Sequence, residues 1–232
     1  MMKKRLVSLV LAGAAALSMT VTAFAASLPS DIPDGAWYQP AVQYVLDNGL
    51  MEQTEQGTFA PDSAMIRQDI ADAIWRDAKL RGLQTEYGIG QDLMRMRDYY
   101  LFDGSYLGAL SFCYHTGIMS GDSEGFMQPW RTITREELAA VLARYDQLIL
   151  TTEASGLAGS QIVHTGFGNW NEAEAEMQAF TDYAEISAWA HDAVTACLAD
   201  GLLQGNADGP FHPQGIVTRA EMAQTLYDFS LK

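Results

Sequence analysis

The chain is poor in cysteine and in basic residues. Its 232 residues include 2 cysteines, 4 histidines and 14 lysines and arginines. Two cysteines cannot form the disulfide framework of a small secreted domain, and they supply too few ligands for a structural zinc site. The shortage of basic residues argues against nucleic acid and anionic lipid surfaces as partners, because both require a positive footprint.

Sequence patterns for catalysis are also missing. The four histidines show no metal-ligand spacing, and no Gly-x-Ser-x-Gly or cysteine–histidine signature occurs. Glu136 and Glu137 are adjacent, so their side chains diverge on a helix and suit capping and solvation better than acid–base work. The sequence therefore predicts a chain that is not an enzyme and needs no metal or other cofactor.

The first residues have the three-part pattern of a secretory signal peptide. Residues 1–5 are basic, an apolar stretch runs to about Thr22, and Ala23-Phe24-Ala25 is a small-residue cleavage site. We expect cleavage after Ala25 and no membrane insertion afterwards; an uncleaved membrane anchor is the alternative. The remaining part of about 207 residues has 11 basic and 29 acidic residues, a formal charge of −18. An anionic ligand would therefore need a local pocket, since the overall field repels it.

Three segments of the chain repeat a glycine and an arginine at a fixed spacing. In each segment a proline follows the glycine by twelve positions and an arginine follows it by 18. The glycines are Gly49, Gly117 and Gly201, the prolines Pro61, Pro129 and Pro213, and the arginines Arg67, Arg135 and Arg219. An aromatic precedes each proline, as Phe59, Phe126 and Phe211, with a one-residue shift in the second copy. Such self-similarity indicates a repeat protein.

The pattern predicts that each copy is a helix, a loop and a second helix. Apolar residues at helical spacing precede each glycine, and glycine ends the helix because it adopts the left-handed C-cap conformation at little cost. In copies two and three the second helix opens with Thr134-Arg135-Glu136-Glu137 and Thr218-Arg219-Ala220-Glu221, each with the threonine and glutamate of a capping box. Copy one has Ile66 in place of the threonine. One unit cannot bury its apolar faces alone, so we predict that the three pack together.

The third copy resembles an S-layer homology repeat. The resemblance rests on Phe180-x-Asp182, Trp189, Gly201-Leu202-Leu203-x-Gly205, Phe211-x-Pro213 and Val217-Thr218-Arg219-Ala220-Glu221. It implies an all-α fold of three helix–loop–helix repeats in a pseudo-threefold arrangement. It also implies a secreted protein of a bacterial cell wall or S-layer, anchored at the cell surface. There it would bind non-covalently to a secondary cell-wall polysaccharide on peptidoglycan, often one that carries pyruvate.

The repeats divide the chain into five parts. Residues 1–25 are the signal peptide, 26–80 are repeat one, and 81–146 are repeat two with its preceding connector. Residues 147–178 are a linker or insert, and 179–232 are repeat three. We expect further helical material around residues 77–96 and 171–178.

The resemblance implies that the arginines contact the ligand in grooves between repeats. The position of each arginine in its helix gives a separate reason to expect an anionic ligand. An arginine in the first helical turn faces the positive end of the helix dipole, at a cost of about 0.3–1 kcal/mol. A bound carboxylate, such as that of pyruvate, would offset this cost, since free N–H groups at the helix start and a guanidinium fork both favour one. The alternative is that each arginine pairs with an acidic residue of a neighbouring repeat, such as Asp34, Asp103 or Asp182.

Further candidate ligand-binding residues accompany the arginines. Trp37 and Trp189 stand twelve positions before their glycines, and they either stack on sugar rings or belong to the core. Gly121 and Gly205 either allow close approach of a sugar or serve only the turn. The four-residue segments that open the second helices, which we call the tetrads, supply the remaining candidates. These are Thr134, Glu137, Thr218 and Glu221.

Three questions stay open at the level of sequence. Cys113 and Cys197 share one register on an apolar helix face, which favours packing over the alternative of a disulfide. Residues 122–125 and 206–209 resemble the start of an EF-hand loop without its full pattern, so weak calcium binding is an alternative. The glycine-containing insert of residues 147–178 is either a flexible connector or an extracellular protein–protein interaction site with an unknown partner.

Overall fold

The structure is a computed structural model that describes residues 28–88, 90–155, 169–205 and 209–232. The predicted signal peptide and all four glycines of the insert lie outside these residues. Within them the protein is all-α, as predicted, with no β-strand. The α-helices are α1 (Gln39–Asp47), α2 (Arg67–Leu80), α3 (Gln91–Met94), α4 (Leu107–His115), α5 (Arg135–Ser155), α6 (Trp170–Ala179), α7 (His191–Ala199) and α8 (Arg219–Ser230). Short 3₁₀ helices lie at Tyr99–Leu101, Gly104–Tyr106, Tyr183–Glu185 and Ala188–Ala190.

Each copy contributes one short and one long helix, in the order the repeat pattern predicts. The short helices α1, α4 and α7 each end two residues before a repeated glycine. The φ angles of Gly49, Gly117 and Gly201 are 64°, 74° and 64°. These values lie in the left-handed region, which confirms the predicted glycine stop. The long helices α2, α5 and α8 begin at the three repeated arginines.

A closed ring of backbone hydrogen bonds joins the three copies at the starts of the long helices. Met65 N donates to Val217 O, Val217 N to Ile133 O, and Ile133 N to Met65 O, at 2.8, 3.1 and 3.3 Å. The three residues occupy the same register, two positions before each arginine, and are fully buried or nearly so. Equivalent residues of the three copies therefore meet at one place.

Away from this ring, the short helix of each copy packs against the long helix of another copy. The three seams are α4 on α2, α7 on α5, and α1 on α8. Apolar residues of all three copies form one core cluster, in which Val42, Leu110 and Val194 are completely buried equivalents. The copies therefore share one core, as expected for units that cannot bury their own apolar faces.

The insert differs from a plain linker in the part that the structure describes. Helix α5 continues to Ser155, past the predicted start of the insert, and α6 covers Trp170–Ala179, one residue wider at each end than predicted. Between Asp77 and Met96 the helical content is less than predicted, because α2 ends at Leu80 and α3 spans only Gln91–Met94. No helix within the described ranges is both long enough and apolar enough to cross a membrane.

Candidate ligand-binding grooves

Each repeated arginine extends out of its own copy and binds the backbone of the next one. Arg67 of copy one donates through Nε to Met127 O (3.0 Å) and through Nη2 to Ser120 O (3.1 Å) in copy two. The same pair of bonds runs from Arg135 to Phe211 O and Gln204 O in copy three, at 2.9 and 2.8 Å. It runs again from Arg219 to Phe59 O and Glu52 O in copy one, at 2.7 and 2.6 Å. The arginines therefore join the copies in a cycle.

The expectation of free N–H groups at the starts of the long helices is wrong. The N–H groups of Arg67 and Gln68 donate to Arg131 O and Pro129 O of copy two, at 2.9 and 3.0 Å. The first two N–H groups of α5 and α8 are occupied in the same way by carbonyls of the next copy. Backbone of a neighbouring copy thus satisfies donors that an anion was expected to take.

The alternative that each arginine pairs with an acidic residue of a neighbouring repeat holds for Arg135 alone, and its partner is none of Asp34, Asp103 and Asp182. Arg67 and Arg219 bind backbone carbonyls, and the acidic partner of Arg135 is Glu221, at 2.7 Å. The carboxylate of Asp103 instead accepts from the backbone N–H and hydroxyl of Ser105. Two of the three arginines also stack on an aromatic ring of the next copy: Arg135 on Phe211 and Arg219 on Phe59.

A repeated aspartate, of which the sequence analysis named only the copy-three residue Asp182, holds the carbonyls that the arginines bind. Asp31, Asp98 and Asp182 each accept two backbone N–H bonds of 2.7–2.9 Å from the segment before the repeated proline. The second donor in each case has a positive φ: Ala60 at 54°, Gln128 at 53° and His212 at 58°. The aspartate therefore stabilises an unusual turn that presents a carbonyl to the arginine. A sequence signal existed, since the aspartates stand 28 or 29 positions before Phe59, Met127 and Phe211.

This geometry also explains the one-residue shift in copy two. Met127, not Phe126, takes the buried position of Phe59 and Phe211 and offers its carbonyl to the arginine. Phe126 lies beside it and stacks with Arg97, whose guanidinium carbon is 4.7 Å from the ring centre.

Around each arginine lies a groove built from all or most of the copies. The Arg67 groove has a volume of about 200 Å³ and is lined by copy-two residues around the arginine, including Gly121, Asp122, Arg131 and Glu137. Arg131 and Glu137 form a two-pronged ion pair of 2.7 and 3.0 Å. Asp122 accepts from its own loop and from Gln128, which lowers the pKa of its carboxyl. Burial and the nearby guanidinium of Arg131 both lower the pKa of Arg67.

The Arg135 groove, of about 410 Å³, is lined by Gly205, the start of α8 and Trp37 of copy one. Arg135 is only 9% exposed, and all three of its guanidinium nitrogens are engaged. Asp228 also faces this groove, and burial raises the pKa of its carboxyl. Two carboxylates against one arginine give this groove a net negative charge.

The Arg219 groove, of about 380 Å³, contains three carboxylates and two guanidinium groups. Arg76 pairs with Glu52 at 2.7 Å and with Asp72 at 2.8 Å. The third carboxylate, Asp69, occupies the register of Glu137 and Glu221, and burial raises its pKa despite a hydrogen bond with Tyr106. Charge therefore disfavours an anion in the Arg219 and Arg135 grooves, each of which has one carboxylate in excess, whereas the charges of the Arg67 groove balance.

The two repeated tryptophans are not core residues. Trp37 is 62% exposed and Trp189 is 58% exposed, and each lines a groove or cleft between copies. In copy two Ser105 stands at this register, and it lines the Arg219 groove together with Tyr106. The tryptophans are therefore accessible to a ligand, which favours the stacking interpretation.

The two loop glycines have a packing reason that the sequence analysis did not consider. A Cβ at Gly121 would lie 3.0 Å from the Met96 sulfur and 3.1 Å from Phe126 O, and one at Gly205 would collide with the ring of Phe180. Both glycines also line grooves. Packing of Met96 against Gly121 and of Phe180 against Gly205 favours glycine at both positions, whether or not a sugar approaches.

The tetrad threonines and glutamates act as helix caps. Thr218 and Glu221 form the complete capping box, and Thr134 and Glu137 repeat its two bonds at 3.0 and 3.3 Å. Ile66 makes no side-chain cap, as predicted for copy one. Glu136, in contrast to the prediction of solvation, is buried and accepts from the N–H and hydroxyl of Ser187 in copy three, both at 2.9 Å.

Cys113 and Cys197 are free and completely buried, which agrees with the packing interpretation. Burial raises the pKa of both thiols far above the ordinary value. Cys113 lies against Ala71 O of α2 and Cys197 against Ala139 O of α5, so the two occupy different seams.

Comparison with known proteins identifies the family. The model of the S-layer homology domain matches residues 30–71, 97–139 and 179–223, more than half of the chain. The chain belongs to this family, and it carries three S-layer homology repeats. Family membership and the surface-layer relative below indicate a cell-wall-attached surface protein.

The chain is also similar to parts of much longer proteins. It is 24% identical over 199 residues to exoglucanase XynX of Acetivibrio thermocellus, covering 85% of this chain and 16% of that protein. It is 25% identical over 134 residues to the surface-layer 125 kDa protein of Lysinibacillus sphaericus, covering 58% and 9%. It is 24% identical over 209 residues to an uncharacterized cell wall amidase of Bacillus anthracis, covering 88% and 32%. The chain thus spans a third or less of each.

Proposed function

We propose that this chain anchors at the bacterial cell surface by binding an anionic secondary cell-wall polysaccharide in the grooves between its repeats. The chain would act as a binding module without catalysis. Its two thiols are buried and held in the protonated form, which does not suit a nucleophile.

The Arg67 groove carries this proposal, because its two guanidinium groups balance the carboxylates of Asp122 and Glu137, whereas each of the other two grooves has one carboxylate more than it has guanidinium groups. Arg67 is held rigidly by two backbone carbonyls of copy two, so little side-chain entropy remains to be lost on binding. Arg131 lies close enough to depress the pKa of Arg67, and its side chain is 40% exposed. A ligand carboxylate between them would relieve the repulsion of like charges and accept charge-assisted hydrogen bonds.

The other two grooves are weaker candidates for an anion. In the Arg135 groove a carboxylate would have to displace Glu221, and in the Arg219 groove it would meet Asp69 and Asp72. Repulsion between these carboxylates and an anionic ligand disfavours binding in both grooves. Exposed Trp37 in one groove and half-buried Tyr106 in the other fit contact with a neutral part of the polymer. Avidity from several weak contacts would strengthen the overall attachment.

The test compares binding of the chain to purified wall sacculi before and after mild acid removal of pyruvate. Arg131→Ala is the informative variant, because the Arg131 side chain is 40% exposed and bonds only to Thr132 O and Glu137 of its own copy. Lys79→Ala is its control, since it removes the same charge outside the grooves. We expect Arg131→Ala and pyruvate removal each to weaken binding about tenfold, the effect of ~1.4 kcal/mol, with Lys79→Ala unchanged. Binding that survives both treatments would exclude a carboxylate held by Arg67 and Arg131.

A further inference from the structure

The three seams between short and long helices are not filled equally. In the α2–α4 seam the ring of Trp75 packs on Gly108, 3.0 Å from the place where a Cβ would stand. In the α8–α1 seam the rings of Tyr227 and Tyr44 meet edge to face, with centres 5.6 Å apart. Trp75 and Tyr227 share one register, eight positions after their arginines.

The α5–α7 seam has alanine where the other seams have large aromatics. Ala143 takes the register of Trp75 and Tyr227, and Ala196 takes the register of Tyr44. Both alanines line an open cleft of about 700 Å³, which we name the α5–α7 cleft. Small residues at these two positions account for the space, because alanine fills less of the seam than the aromatic rings at the equivalent positions.

Two tryptophans line the α5–α7 cleft. Trp189 precedes α7 and is 58% exposed, while Trp170 begins α6, the helix of the insert. Helix α6 is held on α7 by the buried Ala173 and Met177, which share a helical face with Trp170. The Met177 sulfur also accepts a bond of 3.5 Å from the Thr195 hydroxyl. The insert therefore contributes a fixed aromatic side chain to this cleft.

Polar groups at the edges complete a surface that suits a sugar ring. Arg144, Gln147 and Asp192 line the cleft beside the alanines and tryptophans. Aromatic faces take the C–H face of a pyranose, and the guanidinium, amide and carboxylate groups can pair with its hydroxyls. A peptide helix would need a longer apolar groove than this cleft offers, since Arg144, Gln147 and Asp192 interrupt its apolar lining.

The cleft continues the Arg67 groove along one face of α5. Glu137 lines the Arg67 groove, Ala140 and Arg144 come one and two turns later, and Thr151 lies at the far end of the cleft. With a rise of about 1.5 Å per residue, the distance from Glu137 to Thr151 is roughly 20 Å. One extended polymer could therefore occupy both places.

We propose that the α5–α7 cleft binds a neutral sugar ring of the same polysaccharide whose carboxylate lies in the Arg67 groove, with Trp170 and Trp189 as stacking surfaces. This inference rests on the proposed function of the Arg67 groove. It assigns a binding role to the insert, because Trp170 belongs to it.

The test uses wall polysaccharide released from sacculi and separated into long chains and single repeating units, with affinities measured by calorimetry. Trp170→Ala removes one stacking surface, and Ala143→Trp fills the cleft as Trp75 fills the α2–α4 seam. Trp130→Ala is the matched control, since Trp130 is 53% exposed and lines none of these grooves. Thermal melting of each variant establishes that it is folded.

We expect Trp170→Ala and Ala143→Trp to weaken binding of long chains about tenfold, the scale of one aromatic contact. Single units that fill only the Arg67 groove should bind all these variants as they bind the unmodified chain. Unchanged affinity of both variants for long chains would overturn the inference, while loss in Arg131→Ala would still support the proposed function. If the unmodified chain binds neither long chains nor single units, the proposed function itself fails.

Discussion

Replacing Arg135 by alanine should destabilise the fold more than a surface arginine does. Arg135 makes three bonds that cross from copy two to copy three: to Phe211 O, Gln204 O and Glu221, at 2.7–2.9 Å. Breaking a buried ion pair from one side typically costs 3–5 kcal/mol. Glu221 keeps a side-chain exposure of 27%, so water can rehydrate it and part of this cost is removed. We therefore expect a loss of about 3 kcal/mol in the free energy of unfolding.

Thermal unfolding followed by circular dichroism measures this effect. For a chain of this size each kcal/mol lowers the melting temperature by about 2–4 °C, so Arg135→Ala should melt roughly 6–12 °C lower. The matched control is Arg76→Ala, because Arg76 also makes three bonds, to Gly49 O, Glu52 and Asp72, but stays within copy one. Its side chain is 32% exposed, and such pairs contribute about 1 kcal/mol or less.

Equal melting temperatures for the two variants would refute the role of Arg135 as a connection between copies.

The expected loss of stability in Arg135→Ala also limits how binding data are interpreted. A loss of wall binding in Arg135→Ala or Arg219→Ala would follow from a loosened groove even if no ligand touches the arginine. Arg131 is a better probe of ligand contact, because its side-chain bonds stay within copy two and alanine keeps its backbone carbonyl.

Two further predictions concern local interactions at the starts of the long helices. Burial raises the pKa of Glu137, but hydrogen bonds from Arg131 and the Thr134 N–H outweigh burial and hold it below the ordinary value. The charged form therefore stabilises the fold above the unfolded-state pKa, about 4.3, and this stability is lost as the pH falls through the lower native pKa. Glu137→Gln should thus be less stable than the unmodified chain at pH 7, with the difference shrinking below about pH 4; a difference independent of pH in denaturant titrations would contradict this. Thr218→Ala should lower the free energy of unfolding by about 1 kcal/mol, and Ile66→Thr should raise it by a similar amount, because the two cap positions share an extended backbone (φ −93° and −102°). A lower melting temperature for Ile66→Thr would show that Ile66 contributes more by packing than a cap would.

The elements of each repeat could be predicted because they depend on neighbours in the chain. The glycine stops, the capping boxes and the apolar faces are all set by residues within a turn or two of one another. The same holds for the absent cap at Ile66. Helix α5 extends to Ser155 for a reason that is not local, since Ile149 in its extra turns is buried in the shared core.

The contacts of the arginines could not be predicted from the sequence, because their partners lie far along the chain. Arg219 binds Phe59 O from 160 positions away, and Arg67 binds Met127 O from 60. Backbone carbonyls also leave no residue-type signal, so the sequence suggested acidic partners such as Asp103 and Asp182 instead. Both carboxylates in fact accept backbone N–H bonds of their own copies. Arg131 was not among the predicted ligand-binding residues, because it lies outside the repeated tetrad.

Because each groove draws on more than one copy, the copies cannot be ranked one by one as working or degraded. Copy one has lost its threonine cap, yet its Arg67 belongs to the groove in which a second guanidinium, Arg131 of copy two, is nearby. Copy three keeps the complete tetrad, yet its Glu221 occupies the free edge of Arg135 and blocks that arginine from a ligand. A preserved capping glutamate thus works against anion binding in the groove next to it. Divergence of one copy changes the charge of a groove that another copy's arginine enters, and three similar repeats thereby form three different surfaces for one polymer.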